Sequence, residues 1–285
     1  MEFRTIVDIE RPQWRIEPAE RMLCVGSCFA DHIGRFFSDN HFPATVNPYG
    51  VMYNPASILH TLKKIEDEKI NLGYQLVILT LGTNHVYIEK ETGEIVDNCQ
   101  KRPQTLFQEE SLTVDQCADY LIQCVSMLLR WNPMMKIMLT VSPIRYRKYG
   151  YHGSQLSKST LLLSIEKVLK ASPLIPELRS PTRSLSSLLS PLYFPAYEIV
   201  NDELRDYRFY APDMLHPSDQ AVEYIWQRLV DSCFSDAAKQ FLSEWQPLKQ
   251  ALSHRPFNPE SETYQLFQQQ TQDRLKAFDA KWGGT

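Results

Sequence analysis

Two uninterrupted apolar runs, Tyr74–Leu81 (YQLVILTL) and Lys136–Val141 (KIMLTV), constrain this chain more than any other feature. Each has the length of one strand, and neither alternates apolar with polar residues. A strand that faces water on one side alternates. An unbroken run belongs to a strand covered on both faces, as in a parallel sheet with helices above and below. Met22–Val25 (MLCV), ended by Gly26, reads the same way. Helical patterns lie between these runs. Phe29, Ile33, Phe36 and Phe37 fall at helical spacing, and Pro55–Glu66 opens with a proline suited to a first turn. Val114–Trp131 follows a Thr113 cap, Ser157–Lys170 is amphipathic, and Ser218–Phe234 begins on a capping serine. The alternation predicts an α/β fold with a mostly parallel sheet and right-handed crossovers.

The remaining segments are less regular. Val86–Asn98 reads as a β-hairpin around Thr92-Gly93, and Leu192–Val200 as a strand interrupted by Pro195. Residues 172–191 are rich in Ser and Pro and read as a surface loop. From Ser235 onward the chain reads as an added helical layer, ending in a Gln-rich helix over Glu262–Trp282 with Leu266, Phe267, Leu275, Phe278 and Trp282 as its apolar stripe. The expected division is a domain over 1–234 and a C-terminal helical extension over 235–285. A net charge of −4 argues against an electrostatic grip on nucleic acid. No run reaches the length of a membrane helix and the first residues lack an apolar signal core, so the expected compartment is the cytoplasm, without membrane attachment. The six cysteines form no C-x-x-C pair and are expected to be free thiols.

In parallel α/β sheets, ligands sit beyond the carboxyl ends of the strands, so the polar residues at strand exits are the candidates for chemistry. Gly26-Ser27-Cys28 follows the first strand. Gly50 closes Asn47-Pro48-Tyr49. Gly82-Thr83-Asn84-His85 follows YQLVILTL, and Ser142-Pro143 and His152-Gly153 follow KIMLTV. Asp213-Met214-Leu215-His216 precedes the Ser218 helix. The chain holds only ten glycines, so their presence at these turns marks backbone requirements.

A glycine and nucleophile at a strand exit, a later glycine, a Gly-x-Asn and a C-terminal Asp-x-x-His, in that order, resemble the four blocks of the SGNH/GDSL hydrolases. The string Gly26-Ser27-Cys28-Phe29-Ala30 resembles the signature of the GSCFA family, a branch of that superfamily. YFPAYEI (Tyr193–Ile199) and HGSQLSKS (His152–Ser159) resemble it too. The resemblance spans about Met22 to Phe234. It implies a three-layer α/β/α flavodoxin-like domain and acyl-ester chemistry, without a settled substrate; the expectation is no cofactor and a small-molecule or carbohydrate-linked acyl ester as substrate.

Within that resemblance the roles divide as follows. His216 is the base that takes the nucleophile's proton, and Asp213, three residues earlier, reaches its other ring nitrogen and fixes the tautomer. A gap-free match places Cys28 at the nucleophile, in the first turn of a helix, where backbone N–H groups support a thiolate. Ser27 is the alternative nucleophile, and its competing role is that of a helix cap. Gly50 and Asn84 are the expected oxyanion donors. His85 and His152 are expected to line the site. A metal bound by His85, His152, Asp213 and His216 is disfavoured, because no close-spaced His pair supports it. His32, His41, His60 and His254 read as surface or packing residues. The basic run Arg145-Tyr146-Arg147-Lys148-Tyr149 reads as a solvated loop, with contact to an anionic substrate as the alternative. Two functions fit: an esterase or acyltransferase working through an acyl-enzyme, or a binding or scaffold protein on the same fold that has lost hydrolysis. The exchange of the usual Ser for Cys favours the second, and the retention of Asp213, His216 and Asn84 favours the first.

Overall fold

The computed structural model of the protein describes residues 4–68, 73–97, 99, 102–171, 191–258 and 260–283. Five strands form its central sheet: β1 (Met22–Gly26), β2 (Ala44–Val46), β3 (Leu76–Leu81), β7 (Lys136–Val141) and β8 (Leu192–Tyr193). They lie in the order β2-β1-β3-β7-β8, and every neighbouring pair is parallel. Between β3 and β7 the chain adds a smaller antiparallel sheet from β4 (His85–Glu89), β5 (Ile95–Val96) and β6 (Phe107–Ser111).

Alternate residues of the central strands feed two separate cores. Met22, Cys24, Leu76, Ile78 and Met138 pack with α1 (Cys28–Asp39), α6 (Asp219–Cys233) and α7 (Asp236–Ser253). Leu23, Val25, Val77, Leu79, Ile137 and Leu139 pack with α2 (Pro55–Asp67), α3 (Val114–Trp131) and α4 (Gly150–Ala171). Helices therefore cover both faces, which is why the strands read as continuous apolar runs. Helix α8 (Glu262–Trp282) lies on α7, where Phe278 meets Phe241 and Trp245 with ring centroids 4.9 and 5.3 Å apart. Trp245 Nε1 donates to the Asp39 carbonyl at 2.9 Å, which fastens α7 to the end of α1. Among the described residues, no helix is long and apolar enough to cross a membrane.

Several boundaries match the local sequence signals. Thr113 caps α3 in a reciprocal capping box with Gln116, and Ser218 caps α6. Others differ. The expected strand Leu192–Val200 stops at Tyr193. Pro195 has no N–H to offer a ladder, and beyond it the chain turns into helix, α5 (Ala196–Glu198) and a π-helical stretch to Leu204. Helix α4 begins at Gly150, seven residues before the expected Ser157, and runs through Gly153 without a break. Strands β2 and β6 carry no sequence signal. One is a three-residue half-buried segment and the other is exposed along all but its first residue. The hairpin is present as β4 and β5, paired Tyr87 to Val96. Its expected last residue, Asn98, and residues 172–190 of the expected surface loop lie outside the described residues.

Candidate active site

The exits of β1, β3 and β7 define one end of the sheet, and the first of them is made by Gly26. Its N–H donates to Asn47 Oδ1 at 2.9 Å and its carbonyl accepts from Met52 N at 2.8 Å. Ser27 follows as the N-cap of α1. Its Oγ accepts from Phe29 N at 3.3 Å, lies 3.0 Å from Thr80 Oγ1, and is almost fully buried. The capping function thus claims Ser27, and the next side chain, Cys28, is half-buried.

Cys28 Sγ lies 3.6 Å from the Tyr53 hydroxyl. The Tyr53 phenol is pushed up to about 12, first by burial and next by its hydrogen bond to Cys28, so it stays protonated and available as a donor to sulfur. Tyr146 closes the same corner, with its ring edge against Tyr53 at 5.7 Å. A side chain at Gly82 would meet the Tyr146 hydroxyl at 3.0 Å, the Tyr53 carbonyl at 3.1 Å and Ser27 Cβ at 3.3 Å, so Gly82 keeps the exits of β1 and β3 in contact.

Asp213 and His216 form a finished pair. Asp213 Oδ2 and His216 Nδ1 are 2.6 Å apart, and Asp213 Oδ1 accepts from the N–H of Leu215 (2.9 Å) and of His216 (3.0 Å). These backbone bonds are the main reason the carboxyl falls from its ordinary 3.8 to about 2, with the imidazole adding to them. The loop is pinned on both sides: Tyr210 bridges Pro217, Ala211 N donates to the His216 carbonyl, and Arg145 N donates to the Leu215 carbonyl at 3.1 Å. Met214 adopts φ +60° inside it. Because the folded-state pKa is depressed, the carboxylate's support of this loop is complete above pH 3.8 and is lost as pH falls through about 2. The amide resonances of Leu215 and His216 should therefore titrate together in that window, which NMR can follow. A midpoint near 4 would show that the carboxylate does not hold them.

His216 also approaches α1. Its ring lies edge-on to His32 with centroids 6.4 Å apart. His32 stands one helical turn beyond Cys28, and its Nδ1 is buried with no hydrogen-bond partner among the described residues. Burial is the largest influence lowering its pKa, followed by His216. By sequence His32 reads as a surface or packing residue, although its i+4 spacing from Cys28 puts both on one helix face. Among the described residues, no hydrogen bond joins Cys28 to His216, and such catalytic contacts are commonly long before substrate binds.

The expected oxyanion donors are engaged elsewhere. Gly50 adopts φ +91°, but its N–H donates to the Asn47 carbonyl at 2.8 Å and closes a turn. Asn84 is buried with its Nδ2 donating to the Leu112 carbonyl at 2.7 Å and its Oδ1 without a hydrogen-bond partner among the described residues. His85 lines a cleft of about 520 Å³, stacked on Tyr149 at 3.6 Å, and Tyr53, whose hydroxyl meets Cys28 Sγ, belongs to the same lining. His152 is exposed in the first turn of α4 and lines no described cavity. Its string contributes other residues instead. Ser154, Ser157 and Lys158 share one buried face of α4 at i, i+3 and i+4. Ser154 accepts from Tyr146 N, Ser157 from Asn84 N, and Lys158 Nζ donates to the Gly82 and Ser142 carbonyls at 2.6 and 2.8 Å. Burial pushes the Lys158 amine down to about 7. The i, i+3, i+4 spacing of these polar residues is the sequence signal for that face.

The model of the GSCFA family matches residues 21–73 and 70–229, and that of the GSCFA domain protein, C-terminal domain, matches 245–283. No curated protein matches the chain. Among solved structures, a Streptococcus pneumonia protein provisionally described as a platelet activating factor is 13% identical, with 75% of this chain and 83% of that one covered at a TM-score of 0.46. A carbohydrate esterase family 3 protein from Talaromyces cellulolyticus is 10% identical, with 79% and 99% covered at a TM-score of 0.40.

Proposed function

Because the chain belongs to the GSCFA family, we propose that it is an SGNH-type ester hydrolase or acyltransferase in which Cys28 is the nucleophile, His216 the base and Asp213 the group that orients it. The observation that carries this reading is the Asp213–His216 pair at 2.6 Å, fixed by two further backbone bonds on a pinned loop. A packing role gives no reason to hold an imidazole this way at the carboxyl end of a parallel sheet. With Nδ1 committed to Asp213, Nε2 is the atom left to take a proton. The thiolate of Cys28 attacks the acyl carbon and expels the alcohol, which takes its proton from His216. Water or an acceptor hydroxyl, deprotonated by His216, then releases the acyl group and returns the thiolate. The capping and burial of Ser27 support Cys28 over Ser27.

A binding or scaffold role is the second reading. The commitment of the Gly50 N–H and of one N–H of Asn84 Nδ2 favours it, since hydrolysis requires donors aimed at the developing oxyanion. Hydrolysis of 4-nitrophenyl acetate separates the two. Turnover well above that of His216→Ala is expected, and turnover equal to it moves the protein to the binding reading.

A further inference from the structure

The cationic side chains in the described lining of the cleft beside Tyr53 and His85, Arg102 and Lys148, are already neutralised. Arg102 pairs with Glu89 at 2.5 Å and Lys148 with Glu109 at 2.8 Å. Arg145 is different. Its guanidinium is half-buried, has no carboxylate or hydrogen-bond partner among the described residues, and is held by aromatic rings instead. It lies 3.9 Å from the centroid of Tyr210, 5.7 Å from that of Tyr207 and 5.8 Å from that of Tyr151. Rings hold a guanidinium in place and strip part of its water, yet leave its N–H fork without acceptors.

Arg145 lines a cavity of about 370 Å³ beside the His216 loop. Met214 forms part of the cavity wall, and the Arg145 backbone N–H is itself bonded to Leu215. The described lining contains no Asp or Glu. It contains Lys158, whose amine is committed to the Gly82 and Ser142 carbonyls, together with the neutral polar side chains of Ser154, Gln155 and Asn201. Asp206, which lines the adjoining hollow with Arg145, is taken up by Arg208 at 3.1 Å. In a chain of net charge −4, an acid-free cavity with an unpaired guanidinium attracts an anion, and the planar fork suits two oxygens of one group.

We propose that Arg145 and this cavity bind an anionic group, carboxylate or phosphate, of the ester on which the protein acts. The proposal rests on the hydrolase reading for the reaction but not for the binding. It assigns the otherwise unused basic run a recognition role through one residue, Arg145.

The test joins binding to turnover. Calorimetry with inorganic phosphate and with succinate measures the anion site without any chemistry. Kinetics compare 4-nitrophenyl acetate with 4-nitrophenyl hydrogen succinate, which carries a carboxylate on the acyl side, and with 4-acetoxyphenyl phosphate, which carries a phosphate on the leaving group. Arg145→Gln should weaken anion binding and lower the anionic-to-neutral ratio of kcat/KM by at least about tenfold, the size of a lost charge-assisted hydrogen bond. Arg145→Lys, which keeps a charge over the rings but no fork, should fall between. Gln155→Glu guards against a folding defect at Arg145. It keeps the acceptor for the Tyr197 hydroxyl, bonded at 2.5 Å, and adds one negative charge to the cavity. It should lower the same ratio with thermal stability near that of the unaltered protein. Preference for the succinate or the phosphate ester identifies the anion and the side of the ester that carries it. Arg145-dependent phosphate or succinate binding without ester turnover would keep the anion site and remove the hydrolase reading. Ester turnover with neither anion binding nor anionic preference would overturn the anion site alone.

Discussion

Cys28→Ala is expected to reduce ester turnover to the level of His216→Ala, a loss of about 10⁴-fold or more, because members of a nucleophile–base unit fail together rather than additively. Ser27→Ala is expected to keep turnover measurable and to lose about 1 kcal/mol of stability, the usual worth of a helix cap. The contrast follows from the two side chains' surroundings. Ser27 Oγ is buried between Phe29 N and Thr80 Oγ1, while Cys28 is half-buried with its Sγ beside the Tyr53 hydroxyl. Iodoacetamide gives an independent readout. Cys24, Cys117, Cys124 and Cys233 are buried, and burial raises each of these thiols, so they should react slowly. Cys99 is the other partly accessible thiol, and Cys99→Ala leaves Cys28 as the expected site of modification. Alkylation of that variant should abolish turnover. Full activity in Cys28→Ala with none in Ser27→Ala would transfer the nucleophile role to Ser27.

Gly26→Ala is expected to have the largest effect on stability. Gly26 pairs with Thr80 in the β1–β3 ladder at φ +141°, a conformation that side chains avoid. A Cβ there would lie 2.1 Å from the Thr80 carbonyl oxygen and 2.7 Å from Thr80 Oγ1. The carbonyl belongs to a buried central strand and accepts the Ser27 N–H, so it has no room to withdraw. Backbone strain of about 1–3 kcal/mol adds to overpacking of about 1–3 kcal/mol, for a loss of about 2–6 kcal/mol, against a typical total stability of about 5–15 kcal/mol. Urea denaturation of Gly26→Ala measures this directly. Gly93→Ala is the control. Gly93 sits in the hairpin turn at φ +72° with open space around it, and its expected loss is only about 1 kcal/mol. Equal stability of the two variants would mean that the β1 exit relaxes freely, and the close contact with Thr80 would not be what demands glycine.

The central sheet was legible in the sequence because strand burial on both faces is written into local composition. YQLVILTL and KIMLTV have no polar side to offer water, and β3 and β7 lie within those runs. Helix starts were legible for a similar reason. Thr113 and Ser218 satisfy N–H groups two or three residues away, so the whole interaction lies inside a short window of sequence. The family signature likewise marked the segments around the site. Tertiary structure decided which atoms of those segments remain available for chemistry. The Gly50 N–H is taken by Asn47, Asn84 Nδ2 by the Leu112 carbonyl, and the Tyr53 hydroxyl faces Cys28 from 25 residues away. His152 is exposed in the first turn of α4, while Lys158 bridges the carbonyls of Gly82 and Ser142 across two strand exits. Each N–H hydrogen can be spent only once, and the acceptor it meets is fixed by how the strands and helices stack. Local sequence reports which polar groups a turn carries, whereas the partner that consumes each of them is set by segments tens of residues away.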